Sequence, residues 1–222
     1  MNRQKRVSGM KDYKIYDISV VIREDSDNYV KEEPRIPIGQ DVFNGFRVQA
    51  NIHYGTHVDC PYHKAPNKKL VEDYPLERFI LPAVVIESMD PESVKLADVK
   101  DVPAEEGCAV LFKTENSRSG RSKILPFQGP MTYIEPDALK NLVDRGVSLV
   151  GFDSPHGEHN APTMEEQENP IHTMMFDNDR IILESVDLAD VPAGGGYTLL
   201  ALPVKFHQCS GSPVRAVLLK KE

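Results

Sequence analysis

One segment constrains the fold of this chain more than any other, the run H-Y-G-T-H-V-D-C-P-Y-H from His53 to His63. It holds three of the seven histidines in the chain and places an aspartate between them. Gly55, the β-branched Thr56 and Val58, and Pro61 all disfavour a helix. We therefore predict an extended segment whose alternate side chains share one face.

The spacing of this segment sets a geometric condition. On a straight strand His53, Gly55, His57 and Asp59 lie on one face, with His57 and Asp59 about 6.6 Å apart at Cα. His53 would lie about 13 Å from His57, which is too far for both to bind one ion. Because glycine tolerates backbone dihedrals that other residues avoid, we predict that the chain bends at Gly55.

Such a bend would bring two imidazoles and a carboxylate together. His53, His57 and Asp59 suit Zn²⁺, Mn²⁺ or Fe²⁺ and leave coordination positions open for water or substrate, as in catalytic sites. His63 follows Pro61, which restricts its approach. A neutral histidine beside a metal can relay a proton at pH 7, so His63 is the candidate general acid/base.

Composition excludes several classes of protein. The net charge of -8 argues against nucleic-acid binding, and the basic run Arg3, Lys5, Arg6 favours a solvated arm. No stretch approaches the roughly 18 apolar residues of a membrane span, and no apolar segment follows the basic N-terminus as in a secretory signal. Three irregularly spaced cysteines favour a reducing cytoplasm.

The rest of the chain predicts one α+β domain with a mixed sheet, over residues 13–222, after a flexible lead-in at 1–12. A polar stretch from Arg23 to about Gln40 contains prolines that block a helix. Alternating or apolar runs predict strands at 15–22, 46–53, 81–87, 108–112, 147–152, 181–184, 197–202 and 214–219.

The clearest predicted helix follows Glu135. Pro136 suits the first helical position, Leu139 and Leu142 belong to an apolar stripe with Val143, and Gly146 ends the helix. The segments around Glu87 and Glu184 also show a weak similarity in sequence to each other, like a partial internal repeat. It predicts that both glutamates lie at strand ends.

These residues resemble the putative-cyclase family, which includes bacterial kynurenine formamidase and isatin hydrolase. The His53–His63 run is similar to the family signature H-x-G-T-H-x-D-x-P-x-H. Further similar segments are Asp17-Ile18-Ser19, Pro75-Leu76-Glu77-Arg78-Phe79, His172 with Glu184 twelve residues later, and Gly211-Ser212-Pro213-Val214-Arg215-Ala216-Val217.

The resemblance implies a swivelling β/β/α fold and a metal-dependent hydrolase of a small amide, an aryl formamide or a cyclic amide. His53, His57 and Asp59 would hold a first Zn²⁺ or Mn²⁺. Asp59 and Glu184 would bridge to a second ion, held also by His172. Metal-bound hydroxide would attack the amide carbon with His63 as general acid/base, in a homodimer or higher homo-oligomer.

Three departures from the family pattern stand out. The chain has no Trp, whereas the formamidases carry one beside the N-terminal strand; Tyr29 or Phe43 are candidate replacements. His156 and Glu158 occupy positions where relatives carry Ser and Asp. Some relatives have Gln in place of Glu184 and use one metal. His156 and His159 belong either to a substrate-side loop or to a solvated one.

Three alternatives remain open from the residues. His57, Asp59 and His172 with Arg180 are also similar to the ligand pattern of a non-haem iron oxygenase, which would require an all-β jelly roll. The second alternative is a non-catalytic metal or small-molecule binding module. The third is a structural domain with incidental histidines.

Overall fold

A computed structural model describes residues 11–24, 28–32, 35–38, 41–160 and 168–222. Fifteen strands are assigned in that part of the chain: β1 Tyr13–Asp17, β2 Tyr29–Glu32, β3 Arg35–Ile38, β4 Asp41–Asn44, β5 Arg47–Ala50, β6 His57–Asp59, β7 Ile80–Glu87, β8 Ser93–Val94, β9 Ala109–Lys113, β10 Tyr133–Ile134, β11 Leu149–Phe152, β12 Ile181–Glu184, β13 Gly194–Leu200, β14 Gly211–Pro213 and β15 Val217–Lys221. Its α-helices are α1 Leu96–Val99, α2 Glu115–Arg118, α3 Pro136–Asp144 and α4 Pro170–Asp177.

Within the described residues, nine strands form one mixed sheet in the order β1-β15-β13-β7-β9-β11-β12-β6-β14. Its centre, β7-β9-β11-β12, is parallel, and the flanking strands pair antiparallel. The sheet curls, because Ser19 beyond β1 forms a bridge with Val186 beyond β12. The predicted α+β class with a mixed sheet is confirmed.

The central strands bury both faces. One face lines the interior of the curled sheet with residues such as Val85, Leu111 and Leu183. The opposite face, including Val110, Val150 and Ile182, packs against apolar side chains of α1, α3 and α4. Near-continuous apolar runs are expected of parallel strands buried on both sides. This helix layer contradicts the all-β jelly roll that the iron-oxygenase alternative requires.

Several local predictions are confirmed. Helix α3 begins at Pro136 and buries Leu139 and Leu142. Strand β12 has the predicted bounds, and β7 and β12 end at Glu87 and Glu184. Glu184 therefore lies at the end of a parallel strand.

Other strand bounds were wrong. The strand predicted over 15–22 ends at Asp17, where pairing with β15 stops at Val217. The strand predicted over 214–219 begins only at Val217 and runs to Lys221, because residues 214–216 lie between β14, which pairs with β6, and β15, which pairs with β1 and β13. The chain changes partners at Arg215 and Ala216, so a continuous ladder cannot form. The strand predicted over 46–53 is β5, which ends at Ala50 before a turn.

The strands β2, β3, β4 and β5 form two short ladders. β2 pairs with β5 and β3 with β4, and within the described residues neither ladder joins the large sheet. We call this element the hairpin arm. The domain boundary at residue 13 stays a prediction, and Arg3, Lys5 and Arg6 lie outside the described residues.

Candidate metal centre

The backbone bends where the sequence predicts. Gly55 has φ +78°, and β6 begins two residues later at His57. A Cβ at Gly55 would lie 2.8 Å from Cγ1 of Ile22, so close packing as well as φ demands glycine. The bend brings the ring centroids of His53 and His57 to 5.2 Å.

Three side chains of this segment converge on one point. Nδ1 of His53 lies 2.7 Å from Oδ1 of Asp59, and Nε2 of His57 lies 3.4 Å from the same oxygen. One ligand atom from each residue lies within 4.8 Å of the other two. His57 and Asp59 are fully buried, and His53 is half-buried. The predicted first metal group is therefore brought together by the fold.

Hydrogen bonds orient these two imidazoles. Nδ1 of His57 lies 2.8 Å from the carbonyl oxygen of Gly55, which can only accept, so we assign the proton to Nδ1. Nε2 of His53 lies 2.9 Å from Oγ of Ser210, and we assign its proton to that bond. Each ring then turns an unprotonated nitrogen toward Asp59. Histidine metal ligands are commonly held in this way.

A second group shares Asp59. Glu184 on β12 stands opposite His57 on β6, and Oε2 of Glu184 lies 3.3 Å from Nε2 of His57. Oε1 of Glu184 lies 3.4 Å from Nε2 of His172 on α4. Asp59, His172 and Glu184 also place one ligand atom each within 4.8 Å of one another. All five predicted metal-binding residues therefore lie in one cluster.

The donor atoms of this cluster fit a divalent cation. Among the described residues, no hydrogen-bond partner is found for the buried atoms Nδ1 of His53, Nε2 of His57, Oδ1 of Asp59 and Oε1 of Glu184. None of the close pairs among them meets hydrogen-bond geometry. Leaving a buried polar atom unpaired costs about 1–3 kcal/mol. A cation bound by nitrogen and carboxylate oxygen would satisfy all of them.

The charges of the cluster lead to the same conclusion. Burial disfavours a charged His57, but the Asp59 and Glu184 carboxylates outweigh it and raise its pKa to about 10. Burial likewise opposes charge on His172, and Glu158 and Glu184 raise its pKa to about 10. The buried carboxylates therefore require positive charge nearby. Protons on the imidazoles or a divalent cation can supply it.

His63 lies beside the cluster without joining either group of three. Its ring packs on that of His53 with centroids 4.1 Å apart, and Nε2 lies 4.0 Å from Oδ2 of Asp59. The side chain is 39% exposed, so it can reach a bound substrate. Partial burial lowers the pKa of His63, which leaves the ring neutral at pH 7 and able to accept a proton.

The residues discussed as departures have different surroundings. His156 is half-buried, and burial lowers its pKa although the nearby Glu184 carboxylate opposes that shift. His159 is exposed, with its ring 4.7 Å from that of Tyr133. Tyr29 lies half-buried on the hairpin arm. The side chain of Phe43 lies outside what the structure describes.

Sequence reasoning assigned no supporting role to three residues that contact the candidate ligands. Ser210 contacts His53, and Gly211 lies so close that a Cβ would be 2.6 Å from Oδ1 of Asp59. Glu158 lies 2.8 Å from Nδ1 of His172. Antiparallel pairing of β14 with β6 brings the first two there. Only the resemblance at 211–217 pointed to that strand.

Comparison with known proteins places the chain in a family. Residues 16–159 match the family model described as putative cyclase. The chain is 34% identical to kynurenine formamidase from Salinibacter ruber, over 77% of each protein. It is 30% identical to kynurenine formamidase from Bacillus cereus, over 78% of each.

Solved structures agree in fold. One, described as a potential metal-dependent hydrolase with cyclase activity, is 26% identical with a TM-score of 0.74, and the match covers 95% of this chain and 99% of that one. Isatin hydrolase A from Labrenzia aggregata, at 21% identity, also has a TM-score of 0.74, over 97% and 96% of the two chains. From its motif, its relatives and its fold, this chain belongs to the putative cyclase family.

Proposed function

We propose that the protein is a metal-dependent hydrolase that cleaves a small amide, either an aryl formamide or a cyclic amide. The observation that carries this proposal is the convergence of buried, unpaired donor atoms from His53, His57 and Asp59 beside the accessible ring of His63. Relatives named kynurenine formamidase direct the choice to the C–N bond of a formamide. Their reaction class suits this site.

One or two divalent ions, Zn²⁺ or Mn²⁺, belong to the proposal. His53, His57 and Asp59 would hold the first, and Asp59, His172 and Glu184 would hold the second. A divalent ion held there supplies Lewis acidity toward a carbonyl and lowers the pKa of a bound water from 15.7 to about 7. Mixed nitrogen and oxygen donors suit both metals.

A residue of the protein, His63, would carry out the proton transfers. Nε2 of His63 faces the cluster and is neutral near pH 7, so it accepts a proton from the attacking water. The same atom then delivers that proton to the leaving nitrogen. The ring of His53 beneath it holds His63 in place. Phe176 forms an edge contact with the His63 ring at 6.5 Å and limits its movement on another side.

We also propose a homodimer or higher homo-oligomer, assembled through the hairpin arm. A two-stranded ladder is marginal on its own in water. The arm nevertheless exposes Val30, Ile36, Phe46 and Val48, each at 44% or more. Exposed apolar surface of this kind is typical of an interface. A double Phe46→Glu, Val48→Glu variant should lower the solution mass by light scattering, whereas Met89→Glu, exposed at 70%, should not.

A reducing cytoplasm is the proposed location. Cys60, Cys108 and Cys209 are free, and the first two are buried. Thiols that persist unpaired suit a compartment where disulfides are rare. None of the helices in the described residues is long and apolar enough to cross a bilayer.

Metal analysis of natively purified protein, coupled to a hydrolysis panel, tests the proposed activity. The panel should contain aryl formamides, isatin-like cyclic amides and lactones. We expect bound Zn or Mn and turnover of at least one amide, and loss of both in His57→Ala. Metal with no turnover would support a non-catalytic binding module. Protein that holds no metal and gains no activity with added metal would support a structural domain.

A further inference from the structure

His53 and His172, one from each group of candidate ligands, have hydrogen-bond partners of different charge. Nε2 of His53 contacts a neutral hydroxyl, that of Ser210. Nδ1 of His172 instead contacts the carboxylate of Glu158 at 2.8 Å. Glu158 is 1% exposed, so its charge is carried in the protein interior. A buried carboxylate needs strong partners to be kept there.

Glu158 finds those partners in the first turn of α4. Its Oε1 accepts a hydrogen bond of 2.8 Å from the backbone N–H of His172, and its Oε2 accepts one of 3.2 Å from that of Ile171. The first N–H groups of a helix have no partner within the helix. A single side chain from the loop after β11 therefore holds both the start of α4 and the imidazole that α4 carries.

The loop that presents Glu158 is itself held firmly. The carbonyl of Gly157 accepts a hydrogen bond of 3.0 Å from the N–H of Ile134. A Cβ at Gly157 would lie 2.4–2.8 Å from ring atoms of Phe152, so the backbone there lies against that ring. Phe152 in turn stacks on Phe112 at 5.6 Å. The backbone that carries Glu158 is therefore held in place by packing and a hydrogen bond at the preceding residue.

We propose that Glu158 is a positioning residue for the second metal: it fixes His172 as the tautomer protonated at Nδ1 and directs Nε2 at Glu184. This inference rests on the proposed metal centre and deepens it, because it makes the affinity of the second position depend on a residue that binds no metal. The ring cannot rotate without giving up its contact with Glu158. The three atoms of the second group stay together for that reason.

The Glu158→Gln variant separates this role from simple packing. Glutamine has nearly the same shape, but its amide group can donate to Nδ1 and so favour the opposite tautomer. A proton on Nε2 would then block ligation. Because outer-shell partners of histidine ligands are worth about 10–100-fold in metal affinity, we expect that loss at the second position. Glu158→Asp keeps the charge and should retain binding within a few-fold.

Ser210→Ala is the matched control, since it removes the support of His53 in the first group. The test is titration of chelator-treated full-length protein with Co²⁺ and Zn²⁺, followed by visible absorption and calorimetry. Wild type should bind two ions per chain. Glu158→Gln should weaken binding at the second position and leave the first unchanged. Ser210→Ala should weaken binding at the first position and leave the second unchanged.

Several outcomes would overturn the inference. Wild-type affinity at both positions in Glu158→Gln would do so, and so would equal weakening of both, which indicates a general structural role. A wild-type chain that binds one ion would overturn the second position while leaving the proposed hydrolase intact. A chain that binds none would remove the proposed function itself. Hydrogen exchange of the Ile171 and His172 amides reports separately whether α4 still begins there.

Discussion

The hydroxyl of Thr56 donates a hydrogen bond of 2.6 Å to the main-chain carbonyl of Ser185. The hydroxyl oxygen of Thr56 also accepts a hydrogen bond of 2.9 Å from the N–H of Val20. Thr56 lies between the bend at Gly55 and the candidate ligand His57, and Ser185 directly follows the candidate ligand Glu184. Ser185 has φ +54°, which is uncommon for a residue with a side chain. One buried hydroxyl therefore ties together the two strands that carry the candidate ligands.

Thr56→Val should destabilise the protein by about 2–4 kcal/mol, because it leaves a buried carbonyl and a buried N–H without partners. Thr56→Ser keeps the hydroxyl and should cost only about 1 kcal/mol for the lost methyl group. Urea unfolding of chelator-treated protein measures this difference without a contribution from metal. Equal losses in both variants would mean that the methyl group, not the hydroxyl, is important.

His63→Ala should reduce kcat by about 10²–10⁴ while the metal content stays the same. The reason is that His63 lies beside the ligand groups and belongs to neither. Metal analysis and steady-state kinetics on the substrate found in the panel check this together. His207→Ala is the control, because that side chain is 80% exposed and pairs with Glu72. An unchanged kcat in His63→Ala would exclude it as the proton carrier.

Gly211→Ala should weaken metal binding by at least about tenfold, in keeping with other changes next to the ligands. The added Cβ would lie 2.6 Å from Oδ1 of Asp59 and 2.7 Å from the backbone oxygen of Val58, which cannot move easily. Overpacking of this kind also costs about 1–3 kcal/mol of stability. Gly195→Ala, with its nearest atom at 3.9 Å, should change neither. Metal titration and thermal unfolding of both variants decide the matter.

Asp179 should make stability depend on pH in the acid range. Partial burial opposes its charge, but hydrogen bonds of 2.6 Å from Lys69 and from Tyr74 outweigh it and lower its pKa. A lowered pKa in the folded state gives stability that is present above the ordinary Asp value of about 3.9 and is lost as pH falls through the folded-state value.

Asp179→Asn should therefore cost about 1 kcal/mol at pH 7, a modest value because the side chain is 46% exposed. The difference from wild type should shrink below about pH 4. Asparagine tolerates the positive φ of this position, 55°, so the backbone should be kept. Denaturant unfolding at pH 3–8 measures the difference, and a value independent of pH would contradict the proposed ion pairing.

Elements with strong local signals were predictable. Helix α3 has proline at its start and an apolar stripe, and β12 is a short β-branched run, so each was found with good bounds. Elements whose limits depend on a distant partner were not. Strand β1 ends where its pairing with β15 stops, and the predicted C-terminal strand begins late, at Val217, because the chain changes partners just before it. A local pattern contains no information on that pairing.

The candidate site divides in the same way. His53, His57 and Asp59, with Gly55 between the two histidines, already specify their own convergence, because the bend and the alternation of side chains are local properties. Glu184, His172 and Glu158 lie far away in sequence, and the resemblance alone pointed to the first two as ligands. The pairing of β6 with β12 and the start of α4 bring them to Asp59.

The amino-acid sequence by itself determined the first half of the cluster, the α+β class and the buried character of the central strands. The tertiary structure decided which carboxylates and hydroxyls surround those ligands and hold each imidazole in one orientation. The physical reason is range. Backbone dihedrals and side-chain periodicity act over a few residues, whereas the supporting hydrogen bonds join strands and helices that meet only when the sheet has formed.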